Sequence, residues 1–106
     1  MGKGRGKDKE VAMTRQIWKF PLAGDVLQEI EMPKEAVILC VQTKDERLNL
    51  WAEVDVDAPK EKRVFEVFST GMTMPTDMGV DRKYIGTFQT PSCLGTLVFH
   101  VYERFN

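Results

Sequence analysis

The chain has 106 residues, 42% hydrophobic and 29% charged, with 15 Lys and Arg against 16 Asp and Glu for a net charge of -1. That is the size of one domain with one core, and too apolar for a disordered chain. The balanced charge removes any bulk electrostatic case for nucleic acid or membrane binding, and no apolar run approaches the roughly 20 residues a bilayer span needs.

Residues 1–13, MGKGRGKDKEVAM, alternate glycine with charge. Such a segment cannot bury enough surface to offset its ordering entropy, so a flexible basic tail is predicted there, with a single β-domain over 14–106. No apolar stretch follows the tail at once, so it does not read as a secretory signal. Lys3, Arg5, Lys7 and Lys9 would carry any contact with nucleic acid phosphates.

The folded part begins with Gln16–Leu22, which puts Trp18, Phe20 and Leu22 on one face and Ile17 and Lys19 on the other. Pro21 cannot donate to a ladder and marks an edge or a strand end. Val26–Met32 alternates imperfectly, because Gln28 shares a face with Val26, Ile30 and Met32. The stretch Ala36–Val56 is a hairpin. In its second arm Leu48, Leu50, Ala52, Val54 and Val56 alternate with polar residues and Trp51, the period of two of a half-buried strand. A turn at Asp45–Glu46 pairs 43 with 48, 41 with 50, 39 with 52 and 37 with 54. This register aligns Thr43, Val41, Leu39 and Val37 with the apolar arm, and a one-residue slip would reverse the match.

Asp55 and Asp57 bound a charged turn that lacks the glycine and closing glutamate of a calcium loop. Arg63–Phe68 is the next strand, with Phe65 and Val67 on one face and Val64 and Phe68 on the other. Ser69–Lys83 is the longest irregular stretch, and loops of that length in small domains are often functional. Tyr84–Thr90 and Leu94–Phe105 form a last strand pair, and apolar residues on both faces of the final one predict a central strand or one covered by a partner subunit. About seven strands without a helical period predict an all-β antiparallel sandwich or small barrel. Its core is expected to contain Trp18, Phe20, Leu39, Val41, Leu50, Ala52, Val54, Phe65, Val67 and Phe99.

Catalytic chemistry has little to draw on. There is one histidine, His100, mid-strand between Phe99 and Val101, where a hydrogen-bonded structural role is expected. Neither Cys40 nor Cys93 has metal spacing, and both are expected to be reduced thiols. No glycine-rich phosphate loop occurs. The expectation is therefore a non-enzymatic protein without metal or cofactor.

Binding is better motivated. Thr70, Gly71, Arg82, Lys83 and Tyr84 combine a hydroxyl, a close backbone, two cations and an aromatic ring, which suits a small anionic, nucleotide-like ligand. Ile38, Cys40 and Trp51 on the outer face of the hairpin, with His100 and Tyr102 on the last strand, are the candidate interface. They predict a homodimer or higher homo-oligomer.

The phrases IWKFPL (17–22), IEMP (30–33), LWAEVD (50–55), TGMTMP (70–75), YIGTFQ (84–89) and LVFHVYE (97–103) resemble, in order and spacing, an uncharacterised family of short proteins. Its members are encoded by bacteriophages and by bacteria carrying prophages. The resemblance covers residues 15 to 103 and leaves out the tail. Members start just before the first phrase, which makes Met13 a natural beginning of the folded unit. The Cys93 turn and the segment around Asp77–Arg82 are longer here than in the family pattern. The resemblance brings no established activity. It implies a setting in the cytoplasm of a bacterial host, where a small protein of this kind binds and sequesters or blocks a host component. A virion or assembly component working through protein contacts is the alternative.

Overall fold

Each alternating stretch forms a strand in the computed structural model, which describes residues 14–23, 26–44, 47–76, 79–93 and 95–105. The basic tail lies outside the described residues. The strands are β1 (Arg15–Pro21), β2 (Leu27–Pro33), β3 (Val37–Lys44), β4 (Arg47–Asp55), β5 (Lys60–Ser69), β6 (Asp81–Ser92) and β7 (Gly95–Phe105). One sheet has the order β1-β4-β3 and the other β2-β5-β7-β6, all pairs antiparallel. The two sheets pack as an all-β sandwich. Among the described residues no helix is long and apolar enough to cross a membrane.

The core lies between the inward faces. Leu50, Ala52 and Val54 from β4 meet Met32, Phe65 and Val101 from the larger sheet, and all six are fully buried. Trp18 and Phe20 face inward beside Ala52 and Leu50 and are half-buried, as is Phe99. Leu22, Met32 and Ala36 complete the core, although the expected core omitted them. Gln28 explains the imperfect alternation of β2. It occupies the inward row opposite Phe65, and its amide exchanges two hydrogen bonds with the Ala23 backbone, at 2.7 and 3.0 Å.

The hairpin register holds at Thr43↔Leu48 and Val41↔Leu50 and then breaks. A bulge between Ile38 and Cys40 makes Leu39 the extra residue, so Ile38, not Leu39, stands opposite Ala52. Leu39 is therefore 46% exposed and leaves the expected core, while Ile38 packs against it and leaves the expected interface. A second bulge, between Tyr84 and Gly86, interrupts β6.

The two bulged strands approach each other at one corner of the sandwich. Thr43 Oγ1 donates to the Gln89 carbonyl at 3.3 Å, and a Cβ on Gly86 would lie 2.8 Å from Val41 Cγ1. Bulges bend and twist a strand, which lets these edges close over the core. Gly86 is required by that proximity, since its φ is not positive.

β7 lies between β5 and β6, as its two apolar faces predict. Because β5 and β6 are both antiparallel to β7, they run parallel to each other, and parallel strands need a crossover. Ser69 pairs with Phe99 and Asp81 with Phe105, so the chain must return six residues along β7, about 20 Å at about 3.3 Å per residue. Residues 70–80 make this return, and Met72 and Met74 line a pocket with Phe68, His100 and Tyr102 on the outer face of the sheet.

Candidate functional site

Alternation along β5, β6 and β7 sorts their side chains between the two faces of the larger sheet. Register places Glu66 and Phe68, Tyr102 and His100, and Arg82, Tyr84 and Thr87 on the outer face. The crossover adds Thr70 there. Thr70, Arg82 and Tyr84 from the expected ligand site thus join His100 and Tyr102 from the expected interface. Lys83 does not join them, since it stands opposite the inward-facing Glu103 and lines a different pocket with Ala36 and Arg63. Gly71 is on the crossover with φ 90°, a left-handed turn conformation that favours glycine.

His100 is hydrogen-bonded through both ring nitrogens, as expected for a structural histidine. Its Nε2 is 2.8 Å from Thr70 Oγ1 and its Nδ1 is 2.9 Å from Thr87 Oγ1. Thr87 also bonds the Tyr84 hydroxyl, and Thr70 Oγ1 reaches the Val98 carbonyl at 3.4 Å. Because that carbonyl can only accept, one consistent direction runs through the chain. Tyr84 donates to Thr87, Thr87 to Nδ1, Nε2–H to Thr70, and Thr70 to Val98.

Three aromatic rings adjoin this chain. Tyr84 meets Tyr102 edge-on with centroids 5.5 Å apart, and Tyr102 meets Phe68 at 6.0 Å. Phe68 is buried beneath the crossover, whereas Tyr84 is 53% exposed. Between the crossover and the pair His100 and Tyr102 lies a pocket of about 190 Å³. Among the described residues no carboxylate hydrogen-bonds His100. The imidazole is oriented by the Thr70 and Thr87 hydroxyls. This arrangement suits hydrogen-bonded and stacked recognition.

Arg82 has a partner within the protein. Its guanidinium donates to both oxygens of Glu66, at 2.6 and 3.4 Å, and to the Pro75 carbonyl at 3.2 Å. Arg104 approaches the same carboxylate at 3.6 Å. Glu66 is only 3% exposed, so this pairing ties the crossover to β5 and β6. An incoming phosphate would have to share these guanidinia with Glu66.

A second ion pair lies on the inner face, its Glu103 buried and its Arg63 half-buried. Arg63 Nε and Nη2 donate to the two Glu103 oxygens at 2.6 and 2.8 Å, and Nη1 donates to the Ala36 carbonyl at 2.6 Å. Hydrogen bonding to Glu103 raises the Arg63 pKa above the ordinary arginine value, outweighing the opposing effect of burial. Neither pair was anticipated from sequence, though strand parity carries the signal. Glu103 shares the parity of Phe99 and Val101, and Arg63 that of Phe65 and Val67.

The remaining candidates fall elsewhere. Cys40 and Trp51 are neighbours on the outer face of the smaller sheet, both half-buried, and the two cysteines are unpaired. Cys93 is exposed. The expected interface of Ile38, Cys40, Trp51, His100 and Tyr102 is thus split between the core and two opposite faces. The Asp55–Asp57 turn is closed by Asp55 Oδ1, which accepts the Asp57 N–H at 3.0 Å. Among the described residues no three His, Cys, Asp or Glu side chains gather as a metal site would require. A cleft of about 350 Å³ opens at one end of the sandwich, lined by Leu22, Leu48, Val67, Phe88 and Phe99 with Arg47 at its side.

Fold and face together define a small all-β sandwich with a tyrosine–histidine–threonine cluster on its larger sheet. The chain belongs to the family described as a domain of unknown function, DUF7352, whose model matches residues 13–106. No curated protein and no solved structure matches it.

Proposed function

We propose that this is a non-catalytic binding protein of bacteriophage origin that captures a small anionic, ring-bearing ligand of nucleotide type from its host. The observation that carries this reading is the convergence of Thr70, Tyr84, Thr87, His100 and Tyr102, from three separate stretches, onto one face. The exposed Tyr84 ring offers a stacking surface, and the hydroxyls and imidazole offer donors and acceptors that can exchange partners with a ligand. Arg82 and Arg104 border the same cluster and supply charge-assisted bonds to an anionic group that shares them with Glu66.

The test is mass spectrometry of small molecules released from the protein after purification from phage-infected cells. A released nucleotide, lost from Tyr84→Ala, supports capture. Tyr84 is the better variant because its ring is exposed, whereas Arg82→Ala would remove the 2.6 and 3.4 Å bonds to the buried Glu66 and leave it to Arg104 at 3.6 Å. If nothing is released and the protein co-purifies with virus particles, a structural role through protein contacts replaces this reading. That second reading is favoured by exposed Ile17, Val37 and Leu39 on the smaller sheet. Binding of nucleic acid through Lys3, Arg5, Lys7 and Lys9 would show as a steep salt dependence abolished by removing residues 1–12.

A further inference from the structure

The outer face of the β1-β4-β3 sheet carries an apolar group on the side of the molecule opposite the tyrosine–histidine cluster. Ile17 on β1 is 63% exposed, and Val37 and Leu39 on β3 are about half exposed. Trp51 lies between them on β4, flanked by Cys40 and Lys19. The bulge builds this face, because it turns Leu39 outward and moves Val37 from the expected inward position to one opposite Glu53. Ile17 and Val37 both stand opposite Glu53, so the exposed aliphatic side chains lie to one side of Trp51, and a tryptophan beside such a group is the composition of an interface centre.

The charges on the same face select its occupant. Along β4 the outward row reads Arg47, Asn49, Trp51, Glu53, Asp55, with Trp51 at its midpoint. Among the described residues Lys44 pairs with Arg47, so the strand positions at one end of the row are cationic, while Glu53 and Asp55 make those at the other end acidic. Arg15 offsets one of those carboxylates through its 2.8 Å bond to Glu53. A row that is cationic at one end and acidic at the other, with its apolar anchor in the centre, is complementary to its own reversed copy.

We propose that a second copy of this chain covers the face, related by a two-fold axis that crosses the strands through Cys40 and Trp51. Rotation about that axis reverses β4 and lays Arg47 of each copy over Asp55 of the other. An axis parallel to the strands would instead stack Arg47 on Arg47, which like-charge repulsion disfavours. Trp51 then meets its symmetry mate, and the two Cys40 thiols face each other across sheets about 10 Å apart. Lys19 also meets its mate, but it lies on the edge strand, where its stem can carry the ammonium out to solvent.

Sedimentation at micromolar concentration should give a species of twice the 12.1 kDa chain mass. In a Cys93→Ser background a short bismaleimide should link Cys40 to Cys40 and yield a covalent dimer. Trp51→Glu should raise the dimer dissociation constant roughly 30-fold or more, the scale of a central interface residue. Arg47→Glu and Asp55→Arg should each weaken association, and the double variant should restore it. The restoration does not depend on whether Trp51→Glu folds well. A monomer throughout the micromolar range overturns the proposal. So does a dimer that survives Trp51→Glu and forms no Cys40 crosslink, since it would use another face. Nucleotide retention is read on the opposite sheet, so failure of either proposal is visible without the other.

Discussion

Replacing Glu103 with Gln leaves the Arg63 guanidinium charged and without its hydrogen-bonded carboxylate at the inner face of the sandwich, with the weaker influence of Glu61 remaining. Glu103 is 2% exposed, and its two oxygens accept the 2.6 and 2.8 Å bonds from Arg63. Removing one partner of a buried pair costs about 3–5 kcal/mol, and the lower end applies because Arg63 keeps its bond to Ala36. A domain of this size has about 5–15 kcal/mol of stability in all, so the loss is large. With a urea m-value of about 1.5 kcal/mol/M, about 3 kcal/mol lowers the unfolding midpoint by about 2 M. The double variant Arg63→Met, Glu103→Leu removes both charges and keeps the volume. It should retain a cost of about 1–3 kcal/mol, for the Ala36 carbonyl left without its Arg63 donor, and be no less stable than Glu103→Gln. Trp fluorescence in urea would report all three variants. A Glu103→Gln cost below about 1 kcal/mol, or a double variant as unstable as the two singles summed, would refute the buried-pair account.

The raised Arg63 pKa fixes a sign for pH dependence. Its stabilisation is fully present below the ordinary arginine value and is lost only as pH rises through the higher folded-state value, so this arginine should add no slope between about pH 5 and 9 in urea midpoints. Gly86→Ala should cost about 1–3 kcal/mol, because the new Cβ would sit 2.8 Å from Val41 Cγ1, and Val41→Ala should absorb part of that cost in the double variant. Ile38→Ser should destabilise by about 2–4 kcal/mol and Leu39→Ser by less than about 1, a ranking that would invert if the strand ran without its bulge.

The local pattern was enough to determine the strands, because alternation with period two is a property of each segment alone. The turn beside Arg47 set the near half of the hairpin for the same reason, and Trp18, Phe20, Leu50 and Val54 all face inward as their parity requires. Tertiary packing decided the rest. Leu39 and Ile38 exchange roles because β3 must bend toward β6, and nothing within the 36–56 stretch records that approach. The long 70–80 segment is explained by strand order, since β7 inserts between β5 and β6 and forces the chain to return along it. Arg82 and Lys83, adjacent in sequence, are sent to opposite faces of one strand, and Arg82 finds a buried carboxylate sixteen residues upstream. Grouping of Tyr84, Thr87, His100 and Thr70 requires the register of three segments at once. Strand parity is a local quantity, whereas which strands become neighbours depends on the whole chain burying one core.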